Sequence, residues 1–568
     1  MKKIIIISII GLILISYASL SLSQSIFQIN IYGIKGDPLK NVQNRLNIEN
    51  AKSLKTENEI KLFFENAPSE IKNALKPYGY FKSSVQSSLT KRNQVWIANF
   101  YISPGPRMKI TQMDLKLYGE GLKDKEFTNF IAHFPIQSNQ YLSIATYNEA
   151  KQKLFAIAHS RGYFNAQMTK NVVYINLKTY TAQVIIHFDT GERYRFGRIL
   201  FNPNPLSNNL LNRFAPFSYN DFYDAEKVQQ FQENLGKSTY LKSVLVVPKI
   251  EQPENHSIPI MVKVKPRPRQ QFNIGAGYGT DTGLSGMLGY EIRYLNPEGH
   301  KLNTQLQASQ VDNSLEVNYI IPGKNPITDQ YYFSAAIKHI DEKLGKSQVE
   351  KISVSDVHSI KSWQQTIGLT LQQEHYFVGG SNYQTQISAI PSINWMKTTS
   401  DDPLRPTRGM LTDLTLRGSP NIFGNTPFLQ AHGRIKLLYP PTLNSRILLR
   451  AELGYTAIDD IDNLPLSLQL LAGGSQSIRG YSYHSIGPGK YLYVGSAEYR
   501  YRIKGDWYAA TFIDAGNVSN DFPNTLKKSI GVGVIWQSII GTFSLSIAQT
   551  IDRPGHPHMV QFNIGTDL

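Results

Sequence analysis

One arginine lies within a run of glycines and serines, between two segments that alternate like strands. Arg479 follows Gly473 and Gly474, in a loop that runs from about Asp459 to Gly489. A guanidinium is a permanent cation whose fork of donors matches carboxylates. Loops of this length are usually functional or disordered. Two interpretations are open: the loop is a flexible external connection, or it folds back and fixes the arginine inside a surrounding structure.

No other residue pattern indicates catalysis. The histidines of the first half are scattered, and no Ser/His/Asp or Cys/His arrangement can be placed together. His556 and His558 could bind a metal, but a loop position is the simpler interpretation. The Gly275–Thr280 run superficially resembles a nucleotide-binding GxGxxG, yet it alternates as a strand and lacks a βαβ unit. The sequence therefore predicts a protein that is not an enzyme, with no catalytic residue, cofactor or metal.

Composition indicates an exported membrane protein. Residues 1–23 read as a signal peptide, with Lys2 and Lys3 before the apolar run Ile4–Ile15. Beyond it we find no apolar run long enough for a spanning helix. The chain of 568 residues has 32 Tyr, 26 Phe, 41 Gly and no Cys, which suggests an outer-membrane β-barrel. The net charge of +16 is diffuse, so we expect outer-membrane lipid and no nucleic acid as partners.

The first half predicts three similar α/β modules of order β-α-α-β-β. Gly79-Tyr80-Phe81 ends the second helix of the first module, and Gly162-Tyr163-Phe164 repeats that ending 83 residues later. Tyr240-Leu241 stands at the corresponding place in a third, more degenerate copy. Glycine after a helix supplies a left-handed cap. The predicted module boundaries are residues 24–106, 107–192 and 193–268.

The second half changes to a period of two. Gln271–Tyr278, Tyr491–Arg502 and Met559–Thr566 each alternate apolar and polar residues, as barrel strands do. At about 18 residues for each strand and its connection, residues 269–568 predict a 16-stranded antiparallel transmembrane barrel.

Closing that barrel would require its first strand to pair with its last. Gly275 and Gly277 of the first strand and Gly565 of the last fall on the lumen side. Glycine gives little side-chain packing, so few cross-strand pairs would hold this lateral seam. A seam that opens for a client strand is one interpretation, and relief of crowding near the long loop is the other.

The arginine loop resembles a motif of the POTRA-plus-barrel outer-membrane assembly superfamily. Ile478-Arg479-Gly480-Tyr481 is similar to the VRGF/Y motif of that family's sixth extracellular loop, and Gly473-Gly474 match the glycines before it. Phe512–Asn517 resembles the family's strand with Asp-x-Gly, and Glu498 stands at the position of a strand carboxylate. The resemblance implies that the loop enters the lumen and that Arg479 bonds to Glu498 or Asp514.

The modules resemble POTRA domains, and their number and the chain length are similar to the TamA branch of that superfamily. Gly277–Gly283 and Asn296–His300 look like the start of its barrel. The resemblance implies an outer-membrane insertase for unfolded autotransporter-like or other β-barrel clients, with a TamB-like periplasm-spanning partner. A two-partner-secretion polypeptide transporter and a passive porin are the alternatives.

Overall fold

The structure is a computed structural model that describes most of the chain. The described residues are 27–280, 282–379, 382–402, 405–420, 426–522, 525–538 and 541–565. The predicted signal peptide, residues 1–23, lies outside them. Within these ranges, no helix is both long enough and apolar enough to cross a membrane.

The first module is a three-stranded sheet covered by helices. Its elements are β1 (Phe27–Tyr32), α1 (Asp37–Arg45), α2 (Ile48–Ala51), α3 (Glu57–Leu75), β2 (Ser84–Arg92) and β3 (Val95–Ser103). Helix α3 begins at a capping box formed by Thr56 and Glu59, which satisfies free N–H groups at its start. Its buried residues recur at helical spacing: Ile60, Ala67, Ile71, Ala74 and Leu75.

The second and third modules repeat this order. The second consists of β4 (Lys109–Tyr118), α4 (Lys125–Ala132), α5 (Ile144–Arg161), β5 (Gln167–Asn176) and β6 (Thr181–Asp189). The third consists of β7 (Arg195–Phe201), α6 (Asn208–Asn212), α7 (Ala225–Lys237), β8 (Leu241–Pro248) and β9 (Ser257–Pro266). In every module the last strand lies in the middle of the sheet, in the orders β1-β3-β2, β4-β6-β5 and β7-β9-β8. The predicted β-α-α-β-β order is confirmed, and the short helix α2 is an addition.

The glycine-aromatic segment at the end of α5 joins the second module to the third. Gly162 has a φ of +87°, and its carbonyl accepts a hydrogen bond from the Tyr194 N–H at 2.9 Å. Tyr163 is buried in the core of its own module. Phe164 instead packs on Tyr194 and Tyr223, with ring centroids 5.6 and 5.0 Å away. One ring of the pair therefore belongs to the core, and the other forms the joint.

The joint between the first two modules has the same construction. Gly79 has a φ of +86°, and its carbonyl accepts a hydrogen bond from the Met108 N–H at 3.0 Å. Tyr80 packs on the core of the first module, whereas Phe81 packs against the core of the second. The repeated motif thus encodes the connection between modules as well as the helix end.

Ion pairs reinforce the second joint. The Asp124 carboxylate lies 3.1 Å from Arg161 Nε and 3.4 Å from Arg193 Nη1. Arg161 Nη1 also reaches Asp224 Oδ2 at 2.5 Å, which links the two modules. Burial raises the pKa of Tyr163 to about 12, so its phenol stays neutral and donates to Asp124 Oδ2 at 3.4 Å.

Tyr240, which stands in the third module where Tyr80 and Tyr163 stand in the first two, contacts the start of the barrel. The Tyr240 hydroxyl donates to the Gly299 carbonyl at 2.7 Å. Lys301 lies 4.7 Å from the centre of the Tyr240 ring and donates to Thr239 Oγ1 at 2.8 Å. Arg213 donates to the Gly323 carbonyl in a second turn of the barrel at 2.7 Å.

Sixteen strands form the barrel in the part of the chain that the structure describes, which confirms the predicted number. They are β10 (Gln270–Gly279), β11 (Gly283–Ile292), β12 (Lys301–Ala308), β13 (Asp312–Pro322), β14 (Asp329–Glu342), β15 (Gly345–Ile360), β16 (Trp363–Val378), β17 (Gln384–Ser400), β18 (Gly409–Ser419), β19 (Phe428–Thr442), β20 (Ser445–Ala457), β21 (Tyr491–Lys504), β22 (Trp507–Ser519), β23 (Lys527–Ser538), β24 (Gly541–Thr550) and β25 (His558–Gly565). They lie in sequence order from β10 to β25 in one sheet.

The period-two pattern places apolar residues outside and polar residues inside. On β21 the Tyr499 and Tyr501 side chains point outward and are exposed. Ser496, Glu498 and Arg500 alternate with them and are buried inside. An apolar outer face suits lipid, and a polar inner face suits an aqueous or polar lumen.

We predict that Gly162→Ala destabilises the joint between the second and third modules. A Cβ at this position would lie 2.8 Å from the Tyr223 Cβ, and the left-handed φ disfavours any side chain. We expect a loss of about 2–3 kcal/mol, measured in the full chain by thermal unfolding and limited proteolysis of the modules.

Gly36→Ala is the matched control, because Gly36 also has a positive φ of 68° but has nothing within 4 Å of a built Cβ. The loss of unfolding free energy in Gly36→Ala should be smaller than in Gly162→Ala. Equal losses for the two variants would show that the close approach at the joint contributes nothing.

Candidate functional site

The long loop after β20 lies inside the barrel. It spans residues 458–490, close to the predicted limits, and we call this segment the plug. Two short 3-10 turns, Ile461–Asn463 and Leu466–Leu468, form its first half. Ile478 and Tyr481 in its second half are fully buried. The plug forms hydrogen bonds with strands on both sides of the lumen, β16 and β22.

Backbone geometry closes the plug into a turn around its arginine. Ala472 and Ile486 exchange two backbone hydrogen bonds, at 2.9 and 3.0 Å. Gly473 has a φ of +104°, and a Cβ there would lie 2.4 Å from the Ser482 carbonyl oxygen. Only glycine fits so close an approach at that φ. The closed turn presents Arg479 to the barrel wall.

Arg479 forms a bidentate hydrogen-bonded ion pair with Asp514 of β22. Its Nε donates to Oδ2 and its Nη2 donates to Oδ1, both at 2.8 Å. The Arg479 backbone N–H donates to Oδ2 as well, at 3.0 Å. Arg479 is 5% exposed and Asp514 is 0% exposed. Charge-assisted forks of this kind are among the stronger hydrogen bonds in proteins.

The remaining side of the guanidinium faces β21. Nη1 donates to Glu498 Oε2, and Nη2 also donates to Ser496 Oγ at 3.2 Å. The guanidinium carbon lies 3.3 Å from the centre of the Phe512 ring, which adds a cation–π contact. Every nitrogen of the Arg479 side chain therefore has a partner.

Two further arginines surround the acids. Arg500 Nε donates to Glu498 Oε1 at 2.6 Å. Arg450 Nη2 donates to Ser496 Oγ at 3.0 Å and lies 3.9 Å from Asp514 Oδ1. Three guanidinium groups thus share two carboxylates, an excess of one positive charge in a buried region. Arg450 Nε has no hydrogen-bond partner among the described residues.

A carboxylate across the lumen holds the first half of the plug. Glu374 of β16 is fully buried, and it accepts hydrogen bonds from the Ser467 N–H at 3.0 Å and from the Ser467 hydroxyl. Ser347 Oγ and Gln372 Nε2 complete its shell, at 2.7 and 2.8 Å. The leucines on either side are buried in apolar clusters with the wall: Leu464, Leu466 and Leu468. The plug is therefore tied to two sides of the barrel.

The structure brings together the plug residues and the two acids named from the sequence. Gly473, Gly474, Ile478, Gly480 and Tyr481 surround Arg479 in one turn, which lies against Glu498 and Asp514. Sequence reasoning assigned no role in this cluster to four neighbouring residues, although their inward parity on the strands could have indicated one: Arg450, Ser496, Arg500 and Phe512. Glu374 gave no signal, because its partner Ser467 is an ordinary loop serine.

No metal site is evident in the part of the chain that the structure describes, since no three His, Asp or Glu side chains cluster there. The cluster around Arg479 can hold the plug in place, and it contains no nucleophile with an adjacent base.

The seam glycines lie apart from the Arg479 cluster, on the first and last strands. Among the described residues β10 and β25 form no ladder, although each pairs along its length with its other neighbour. The Thr280 N–H donates to the Phe562 carbonyl at 3.3 Å, and the Phe562 N–H donates to Thr280 Oγ1 at 3.2 Å. Extending this antiparallel register would place Gly277 opposite Gly565. The expected full pairing of these strands is thus reduced to a local contact.

Models of known protein families match residues in both halves of the chain. Residues 269–568 match the model of the Omp85 superfamily domain. Residues 28–104 match the model of POTRA domain TamA domain 1.

Known proteins and structures are similar to parts of the chain. The outer membrane protein assembly factor BamA of Buchnera aphidicola is 24% identical over 268 residues, which cover 45% of this chain and 42% of that relative. BamA from Haemophilus ducreyi lacking POTRA domains 1–3 has a TM-score of 0.65 at 18% identity, covering 81% of this chain and 99% of that one. CdiB from Acinetobacter baumannii has a TM-score of 0.47 at 15% identity, covering 81% and 90%.

We predict that Arg479→Ala releases the plug while the barrel still inserts. The substitution leaves Asp514 buried without its main partner, and breaking a buried ion pair costs about 3–5 kcal/mol. The plug should become sensitive to protease, and the conductance of the reconstituted barrel should rise because the lumen opens.

Arg479→Lys tests the fork, since it keeps the charge but cannot bind both Asp514 oxygens. It should give an intermediate effect. Arg92→Ala, at an exposed position on β2, should leave conductance unchanged. A plug that stays protected in Arg479→Ala would contradict the role given to this cluster.

Proposed function

The chain belongs to the Omp85 superfamily, and we propose that it is an outer-membrane insertase that assists the folding of autotransporter-like or other β-barrel clients. The barrel lies in the outer membrane and the N-terminal modules lie in the periplasm. In the proposed mechanism, unfolded clients reach the membrane through the seam between β10 and β25. The weak pairing of this seam is the observation that carries the proposal.

Seam energetics support lateral opening. A regular ladder satisfies the backbone groups of both strands, and lipid offers no substitute for those hydrogen bonds. At the described part of the seam, Thr280 and Phe562 supply the two hydrogen bonds. Separating β10 from β25 therefore breaks few bonds, and it exposes edges that a client strand can pair with. The client satisfies the edges while it forms its own first hairpin.

The plug favours an insertase over a passive porin. It crosses the lumen between Glu374 on one side and Asp514 on the other, and both anchors are buried. An aqueous channel of useful width would require this segment to leave. A polypeptide transporter would also need to displace the plug, whereas lateral insertion needs only the seam to open.

The periplasmic modules supply the second part of the proposed function. Residues 28–104 match a POTRA domain described for TamA. This match supports a TamB-like, inner-membrane-anchored partner and the delivery of clients on the periplasmic side. Cross-linking the full chain in intact envelopes would identify such a partner.

We predict that a disulfide across the seam stops client insertion. The pair is Thr280→Cys with Phe562→Cys, because the Thr280 N–H donates to the Phe562 carbonyl and directly opposed antiparallel residues have Cα atoms about 4.5–5.5 Å apart, within the range that a disulfide spans. The chain has no cysteine, so no other disulfide can form. Oxidation should abolish insertion of a client into proteoliposomes, and reduction should restore it.

A disulfide between β10 and β11 is the matched control. Ile274→Cys with Leu288→Cys joins register partners that stay paired when the seam opens. This variant should insert clients in both redox states. Unchanged insertion through a verified seam disulfide would reject lateral opening for this protein.

A further inference from the structure

The turn of the plug that carries Arg479 also contacts the last hairpin of the barrel. The Tyr481 hydroxyl lies 2.6 and 2.7 Å from the two carboxylate oxygens of Asp552, in the connection between β24 and β25. The Arg553 guanidinium carbon lies 4.3 Å from the centre of the same ring. Tyr481 is fully buried. Its contacts with Asp552 and Arg553 therefore join the interior of the plug to the β24–β25 connection.

A second contact reaches β25 directly. The Gly480 N–H donates to Gln561 Oε1 at 3.2 Å, and Gln561 is 1% exposed. A Cβ at Gly480 would lie 3.4 Å from the side chains of Ala548 and Thr550 on β24. The plug backbone thus packs directly on both strands of the hairpin, next to the seam.

These contacts adjoin the Arg479 cluster in the sequence. Arg479, Gly480 and Tyr481 are consecutive, and they bind β22, β25 and the β24–β25 connection in turn. A displacement of the last hairpin would pull on the buried pair of Arg479 with Asp514. The hairpin is therefore held to the rest of the wall by the plug as well as by its ladder with β23.

Several inward side chains of the first barrel strands are more exposed than those beside the plug on the last strands. Asn273 of β10 and Gln305 of β12 are exposed there, and Met287 of β11 is 39% exposed. On the other side of the seam, the inward residues Gln561, Ala548 and Thr550 are almost completely covered. The plug turn covers these three positions on the last strands, whereas the named positions on the first strands are exposed.

We infer that the plug latches the β24–β25 hairpin, so that the seam opens by movement of β10 and β11 while β25 stays in place. Asp552 and Gln561 are positioning residues in this arrangement, since they act through the plug and not on a client. The inference rests on the proposed function, because it assigns the moving side of the same seam.

Hydrogen exchange of the full chain in lipid nanodiscs, without any client, tests the latch. In the wild-type protein, amides of residues 270–292 should exchange faster than those of residues 541–565, although both segments border the seam. Tyr481→Phe removes the hydroxyl that binds Asp552. It should speed exchange in residues 541–565 by about tenfold and leave residues 270–292 unchanged.

Tyr499→Phe makes the same chemical change at an outward-facing, exposed position of β21 and should not alter exchange in either segment. Asp552→Asn should reproduce the effect of Tyr481→Phe, and Asp552→Glu should restore slow exchange because it keeps the carboxylate. Equal exchange of the two segments in the wild-type protein would overturn the inference, as would the absence of any change in Tyr481→Phe and Asp552→Asn.

This result is independent of the proposed function, since it needs no client. If the seam disulfide stops insertion and the two segments exchange equally, the insertase stands and the latch fails. If exchange is asymmetric but the seam disulfide has no effect on insertion, the latch stands as a structural feature and lateral insertion fails.

Discussion

A buried arginine paired with two carboxylates is the constraint on which the interior of this barrel depends. Charged groups that leave water must find partners, and removing one partner costs more than the pair contributes. Arg479 reaches its acids only if residues 472–486 fold inward, so the ion pair and the closed turn require each other. Strands β21 and β22 then become a fixed wall, because their inward side chains are committed to the plug.

The seam is the counterpart of that fixed wall. A sheet in lipid must satisfy its own backbone, which makes a closed barrel the stable arrangement and an open edge a costly one. Here the ladder is continuous from β10 to β25, while the described contact between those two strands is local. Among the described residues, the wall is therefore joined least along the line between β10 and β25.

The periplasmic modules solve a different problem, which is how to connect small domains without long linkers. Each joint uses a left-handed glycine and an adjacent pair of aromatic rings, one for each neighbouring core. The joint between the second and third modules adds the ion pairs of Arg161. At each joint the two rings pack in neighbouring modules, so the modules are in direct contact there.

Local sequence patterns predicted the β-α-α-β-β order of the modules and the strand number, whereas the residues of the plug turn came from the resemblance to a family motif. Those patterns were sufficient because helix caps, a period of two and repeated glycine-aromatic segments are local signals. The glycine-aromatic segment placed the end of helix α3 just before Gly79, whereas the helix ends at Leu75 and Pro77 follows in a 3-10 turn.

Only the tertiary structure decided that Asp514 and Glu498 both hold Arg479, that Glu374 holds Ser467, and that Gln561 lies beside Gly480. These contacts join residues from 19 to 93 positions apart in the sequence. The position of the seam contact at Thr280 and Phe562 was likewise beyond the sequence. The strand pattern determines which way a side chain points. It does not determine the register between Thr280 and Phe562, which lie 282 residues apart in the sequence.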